Sequence, residues 1–286
     1  MKRIIVFVLA LALGLEAMAQ SKVIPDTLNS AILGREVPLN VYLPEGFCDE
    51  GAEHYPVVYL LHGLSDNHDT WVNLGGIKTV ADELIECGEA VPMVIIMPCA
   101  GGQDVHNVQN GYFNMPDCNY EDFFFKELIP GIEQKYHCGG SKWERAIMGL
   151  SMGGGGSVVY CQHHPELFSS CFAMSPWLDN DLNQVECPKD KSDKLYIVGK
   201  AVANNSAIKF LDKAKPETLE KLRTVKWFVD CGDDDFLLQL SMDFHMKMRE
   251  KGIKNELRIR NGVHNWEYWH LSLRQSLPFA SRNFGE

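Results

Sequence analysis

The chain has 286 residues, 45% of them hydrophobic and 23% charged, which is ordinary globular composition and excludes a disordered chain, a collagen and a coiled coil. A formal charge of -11 at pH 7 sets it against nucleic acid and anionic membrane surfaces, whose phosphates would repel it. The length suits one large α/β domain or two small ones, either able to bury a sizeable core.

Lys2 and Arg3 give a positive start, residues 4–15 form an apolar run, and Ala17-Met18-Ala19 places small residues before a cut at Gln20. These are the three parts of a secretory signal peptide. The apolar run is shorter than the ~20 residues a membrane span needs. Residues 1–19 are therefore expected to be a cleaved signal and residues 20–286 the mature domain, secreted or periplasmic. No cysteine follows the cut, so a lipid anchor is not indicated. The nine cysteines are odd in number and contain no C-x-x-C pair, which argues against a zinc or thioredoxin-like site. Cys161, Cys171 and Cys231 lie in apolar stretches and read as core residues.

Val37, Leu39, Val41 and Leu43 alternate with other residues as in a half-buried strand, ended by Pro44 and Gly46. Residues 56–62 and 91–98 are continuous apolar runs, the pattern of strands buried on both faces. Residues 119–137 read as a helix with Asn119 as N-cap, which Pro130 should kink or split. A short strand over 145–149 leads into a helix over 152–164, stopped before Pro165. Residues 169–174, 195–198 and 225–230 read as strands. A helix over 236–251, a strand over 257–260 and a last helix over 265–276 complete the chain. This alternation predicts a doubly wound, mostly parallel α/β sheet in one domain, with the first strand antiparallel at an edge.

Gly149-Leu150-Ser151-Met152-Gly153 fits G-x-S-x-G, the turn that lifts a serine nucleophile between strand and helix. Small residues are required because the chain reverses sharply and any side chain at Gly149 or Gly153 would meet backbone. A phosphate loop would need G-K-[ST] after its glycines, and none is present. A serine needs a base, and the base an orienting carboxylate, in the chain order Ser, Asp or Glu, His. Asp233, Asp234 and Asp235 follow a late apolar strand, and His264 follows the next strand on a glycine-led loop. His54, His68, His106 and His137 come too early for this order. His163 and His164 end a helix, and His245 and His270 fall inside helices. The spacing alone leaves the choice among the three aspartates open. Backbone N–H groups of Leu64, after His62-Gly63, and of Met152, after the serine, fit an oxyanion hole. His62 reads as a brace of that loop.

The segments LLHGLSDNHDTW (60–71), YEDFFFKELIP (120–130), GLSMGG (149–154), CGDDDF (231–236) and GVHNWEYW (262–269) resemble the esterase branch of the α/β-hydrolases. That branch holds the feruloyl and acetylxylan esterases of carbohydrate esterase family 1, S-formylglutathione hydrolase, enterochelin esterases and antigen 85 mycolyltransferases. The resemblance implies the α/β-hydrolase fold and Asp235 as the acid. It also supports Ser151 as nucleophile, His264 as base, and Leu64 and Met152 as oxyanion donors. No metal or organic cofactor is implied. The expected activity is serine carboxylester hydrolysis through an acyl-enzyme, on feruloyl or acetyl esters of plant polysaccharide. A generic short-chain esterase, an acyltransferase and a catalytically silent binding protein are the alternatives. Trp71, Trp177, Trp266 and Tyr112 lie near the motifs and are expected to contact the substrate, since aromatic faces suit both a cinnamoyl ring and a sugar.

Overall fold

The computed structural model describes residues 20–48, 54–100, 111–115, 118–181, 190 and 193–285. The expected signal segment 1–19, Cys187 and His106 lie outside the described residues. Eight strands form one sheet: β1 (Lys22–Ser30), β2 (Arg35–Leu43), β3 (Val57–Leu61), β4 (Val94–Pro98), β5 (Arg145–Leu150), β6 (Ser170–Met174), β7 (Lys226–Gly232) and β8 (Asn255–Arg260). Their spatial order is β1-β2-β4-β3-β5-β6-β7-β8. β2 pairs antiparallel with both β1 and β4, and every later pairing is parallel.

Every residue of β3, β4, β5 and β6 is buried, because apolar layers cover both sheet faces. In β3 the alternation is explicit: Val57, Tyr59 and Leu61 point into one layer, Val58 and Leu60 into the other. Helices α1 (Ile77–Glu86) and α7 (Trp266–Arg282) cover one face through Leu84, Leu273 and Leu277. Helices α2 (Ile129–Tyr136), α3 (Ser151–His163), α4 (Lys194–Asn204), α5 (Ala207–Lys213) and α6 (Leu238–Glu250) cover the other, with Ile132, Val158, Val198, Leu211 and Phe244. Cys161, Cys171 and Cys231 are buried free thiols. No helix among the described residues is long and apolar enough to cross a membrane.

Three local expectations are corrected. β1 precedes the strand expected first and takes the edge, so residues 35–43 are the second strand inward. Its polar sequence KVIPDTLNS hid it, and an edge strand tolerates both that polarity and Pro25. Residues 195–198 are not a strand but the start of α4, where the Asp193 side chain caps the Leu195 N–H at 2.8 Å. A short apolar run cannot distinguish the two states. Asn119 makes no side-chain cap. The expected split of residues 119–137 at Pro130 is met: the run divides into a helical turn at Tyr120–Phe123 and α2. The chain widens into a π turn at Phe124–Leu128, and α2 starts just before the proline, where its missing N–H costs little.

Because β3 and β5 to β8 run parallel, their carboxyl ends share one edge of the sheet. Leu64, Ser151, Ser175, Asp235 and His264 all follow those ends, where open α/β sheets place their chemistry.

Candidate active site

Ser151 opens α3 at φ +52°, a left-handed conformation that is costly for a residue with a Cβ. The turn is forced by two close approaches. A Cβ at Gly149 would lie 2.5 Å from the Gly153 carbonyl oxygen, and one at Gly153 would lie 2.5 Å from the His62 oxygen. Only glycine fits at either position, so strand, serine and helix can fold onto β3 without collision. The result projects Ser151 at the N-terminus of a helix of 13 residues, whose partial positive charge favours a developing anion.

His264, on the loop between β8 and α7, stands between the serine and the acid. Its Nε2 lies 2.9 Å from Ser151 Oγ and its Nδ1 lies 2.8 Å from Asp235 Oδ2. A carboxylate only accepts, so Nδ1 carries the proton and Nε2 is free to accept from the serine hydroxyl. The Asp235 side chain is fully buried, and that of His264 is 16% exposed. Burial pushes the Asp235 carboxyl up. Hydrogen bonds from His264, from the Leu237 N–H and from Ser175 outweigh that and hold it below its ordinary value. Of the other two aspartates, Asp233 accepts from the Gly262 N–H at 2.9 Å and Asp234 is exposed, so neither faces the imidazole.

The Gly63–Leu64 loop runs against the serine: a Cβ on Gly63 would lie 3.6 Å from that of Ser151. Met152 sits in the first turn of α3, whose N–H groups lack intrahelical acceptors. His62 braces the loop. Its Nδ1 donates to the Gly63 oxygen at 2.8 Å and its Nε2 accepts from the Ala100 N–H at 2.9 Å, which fixes a neutral tautomer. Complete burial pushes its pKa down to about 4.

Three residues have supporting roles that the sequence did not reveal. Ser175, at the end of β6, is fully buried at φ +43° and hydrogen-bonds Asp235. Trp269 donates its indole N–H to Ser175 Oγ at 3.2 Å and packs edge-on against His264 at 4.8 Å between ring centres. Asp66 accepts from the Gly63 N–H at 3.3 Å and from the Trp266 indole, joining the Gly63–Leu64 loop to α7. Burial raises the Asp66 carboxyl to about 6. Below these, the buried Asp230 carboxylate takes hydrogen bonds from Arg260, Tyr268 and Ser272 and ties β7, β8 and α7 together beneath the acid and base loops.

The aromatic expectations divide. Trp71 is completely buried, with its indole N–H on the Leu61 oxygen, and Tyr112 is completely buried, with its hydroxyl on the His62 oxygen. Both hold the loop after β3 from beneath and offer no face to a substrate, which corrects their reading as contacts. Trp177 and Trp266 are partly exposed. The Trp177 N–H binds the Ser151 oxygen at 2.9 Å, and Trp266 packs edge-on against Trp71 and Trp269.

Residues 30–280 match a family model described as "Putative esterase". A solved ferulic acid esterase is 43% identical, with a TM-score of 0.89 over 93% of this chain and 100% of that one. The endo-1,4-beta-xylanase/feruloyl esterase of Xylanibacter ruminicola is 33% identical over 145 residues, 50% of this chain and 20% of that protein. An esterase of Mycobacterium tuberculosis is 30% identical over 148 residues, 51% of this chain and 30% of that protein. The chain thus spans between a fifth and a third of the length of these curated relatives. The family match across nearly the whole fold places it: this chain belongs to the esterase family and has the α/β-hydrolase fold.

Proposed function

We propose that this chain is an exported serine carboxylesterase that cleaves feruloyl or acetyl esters of plant polysaccharide. The observation that carries the reading is His264 within hydrogen-bond reach of both Ser151 and Asp235. In this reading Ser151 Oγ attacks the ester carbonyl as His264 Nε2 takes its proton, and Asp235 stabilises the imidazolium. The Leu64 and Met152 N–H groups receive the oxyanion. His264 then returns the proton to the leaving alcohol oxygen, and the acyl group stays on Ser151. A water deprotonated by His264 hydrolyses the acyl-enzyme and restores the serine.

The substrate half rests on the ferulic acid esterase at 43% identity, and the export half on the signal pattern in residues 1–19. Trp177 and Trp266 are kept as candidate substrate contacts. The test is an ester panel with purified mature protein: methyl ferulate, feruloyl-arabinose, acetylated xylan, p-nitrophenyl butyrate and a long-chain triglyceride. Cleavage of the sugar esters well above the triglyceride supports the reading. Triglyceride cleavage alone overturns the substrate, and loss of every activity in Ser151→Ala is required of the mechanism.

A further inference from the structure

Phe236 is 75% exposed, an unusual state for a phenylalanine immediately after a fully buried catalytic-site carboxylate. Its neighbours Asp235 and Leu237 are both buried, so the chain turns this one ring outward. The ring does not stand alone in solvent. Its centre lies 4.5 Å from the centre of the His264 imidazole, tilted by 49°. The base is thus held between two aromatic rings: Trp269 edge-on and buried, Phe236 tilted and open. On the other chain neighbour of the base, Val263 is 45% exposed.

The side of the substrate that meets this ring follows from the chemistry. The tetrahedral carbon carries four groups: the Ser151 oxygen, the oxyanion, the acyl chain and the leaving oxygen. The oxyanion faces the Leu64 and Met152 N–H groups, away from the base. The leaving oxygen must come within hydrogen-bond distance of His264 Nε2, because that nitrogen returns the proton to it. The acyl chain takes the remaining direction and has no need to approach the imidazole. Whatever is attached to the leaving oxygen therefore emerges beside His264, where the open face of Phe236 lies.

We infer that Phe236 is a specificity-determining residue on the alcohol side of the site, a platform on which the sugar ring of the leaving alcohol stacks. The inference rests on the proposed ester hydrolysis and assigns its alcohol subsite. A pyranose or furanose ring presents a face of C–H groups that suits the negative face of a phenyl ring, and a methyl or ethyl alcohol is too small to cover it. Phe236 thus distinguishes esters by their alcohol when the acyl group is the same.

The experiment compares wild type with Phe236→Ala and Phe236→Tyr on two acyl-matched pairs: methyl ferulate against feruloyl-arabinose, and ethyl acetate against monoacetylated xylose. In Phe236→Ala the ratio of kcat/KM for the sugar ester to that for the simple ester falls roughly fivefold, mostly through KM, the size of one lost aromatic contact. Phe236→Tyr, which keeps the ring, restores the ratio. If both members of a pair lose the same factor, the ring acts on His264 or on the acyl group, and the inference is overturned while the esterase reading stands. An unchanged ratio in Phe236→Ala overturns it equally. A wild type that cleaves the simple esters and neither sugar ester overturns both the inference and the polysaccharide half of the proposed function.

Discussion

Replacing Asp235 by asparagine tests the proposed triad at its most constrained atom. The two carboxylate oxygens have separate duties: Oδ1 accepts from the Leu237 N–H at 2.8 Å and Oδ2 accepts from His264 Nδ1 at 2.8 Å. An asparagine has one oxygen. Kept on the backbone N–H, it turns its amide –NH2 toward His264, and Nδ1 must become an acceptor. The imidazole proton then moves to Nε2, which donates to Ser151 instead of accepting from it. Turned the other way, the –NH2 confronts the Leu237 N–H and a buried donor is left without an acceptor. The first arrangement keeps the fold and inverts the tautomer, which costs about 10⁴-fold in kcat, or about 5 kcal/mol in the barrier. The assay is kcat and KM on methyl ferulate or p-nitrophenyl acetate, with thermal melts of both proteins. KM should change far less than kcat. A loss smaller than tenfold in Asp235→Asn, or a larger loss in Asp233→Asn or Asp234→Asn, would refute the assignment of the acid.

Gly153→Ala should abolish soluble folded protein or lower its melting temperature sharply, because the added Cβ meets backbone atoms of Leu61 and His62 that no side chain can yield to. Asp230→Asn leaves Arg260 with no buried carboxylate to pair and should cost about 3–5 kcal/mol in chemical denaturation; a loss under 1 kcal/mol would contradict a supporting role for the network. His62 binds a proton more weakly folded than unfolded, since its pKa falls from 6.5 to about 4. Stability should therefore drop as pH falls from 6.5 toward 4, by about 3 kcal/mol over that window. A urea series across this range should show the slope in wild type and its loss in His62→Gln. Asp235 works in the opposite sense: its depressed carboxyl contributes stability that is complete above 3.8 and lost as pH falls through its folded value.

Much of the architecture was legible in the sequence, because it rests on local rules. The runs at 56–62 and 91–98, short and bounded by Gly and Pro, read as strands buried on both faces, and the glycines flanking Ser151 mark a turn that no larger residue could make. Chain order placed Ser151, the run Asp233 to Asp235 and His264 after β5, β7 and β8, the resemblance singled out Asp235 within that run, and parallel strands bring their ends to one edge. The tertiary structure decided what depends on neighbours distant in sequence. β1 is a strand because β2 offers it a full antiparallel ladder, although its own sequence carries too few apolar residues to announce it. Residues 195–198 are helical because Asp193 caps them and the Trp177 segment packs beside Gly199, while apolarity alone fits either state. Trp71, Tyr112, Trp177 and Trp266 were equivalent as letters. Burial turned the first two into supports of the loop after β3, since a ring with no exposed face cannot touch a ligand. Ser175 lay outside every motif, and Asp66 and Trp269 lay inside the resembling segments with no role assigned to them. Their places in the hydrogen-bond circuit around Asp235, His264 and the Gly63–Leu64 loop exist only where β3, β6, β7 and α7 converge, and that convergence is a property of the packed sheet.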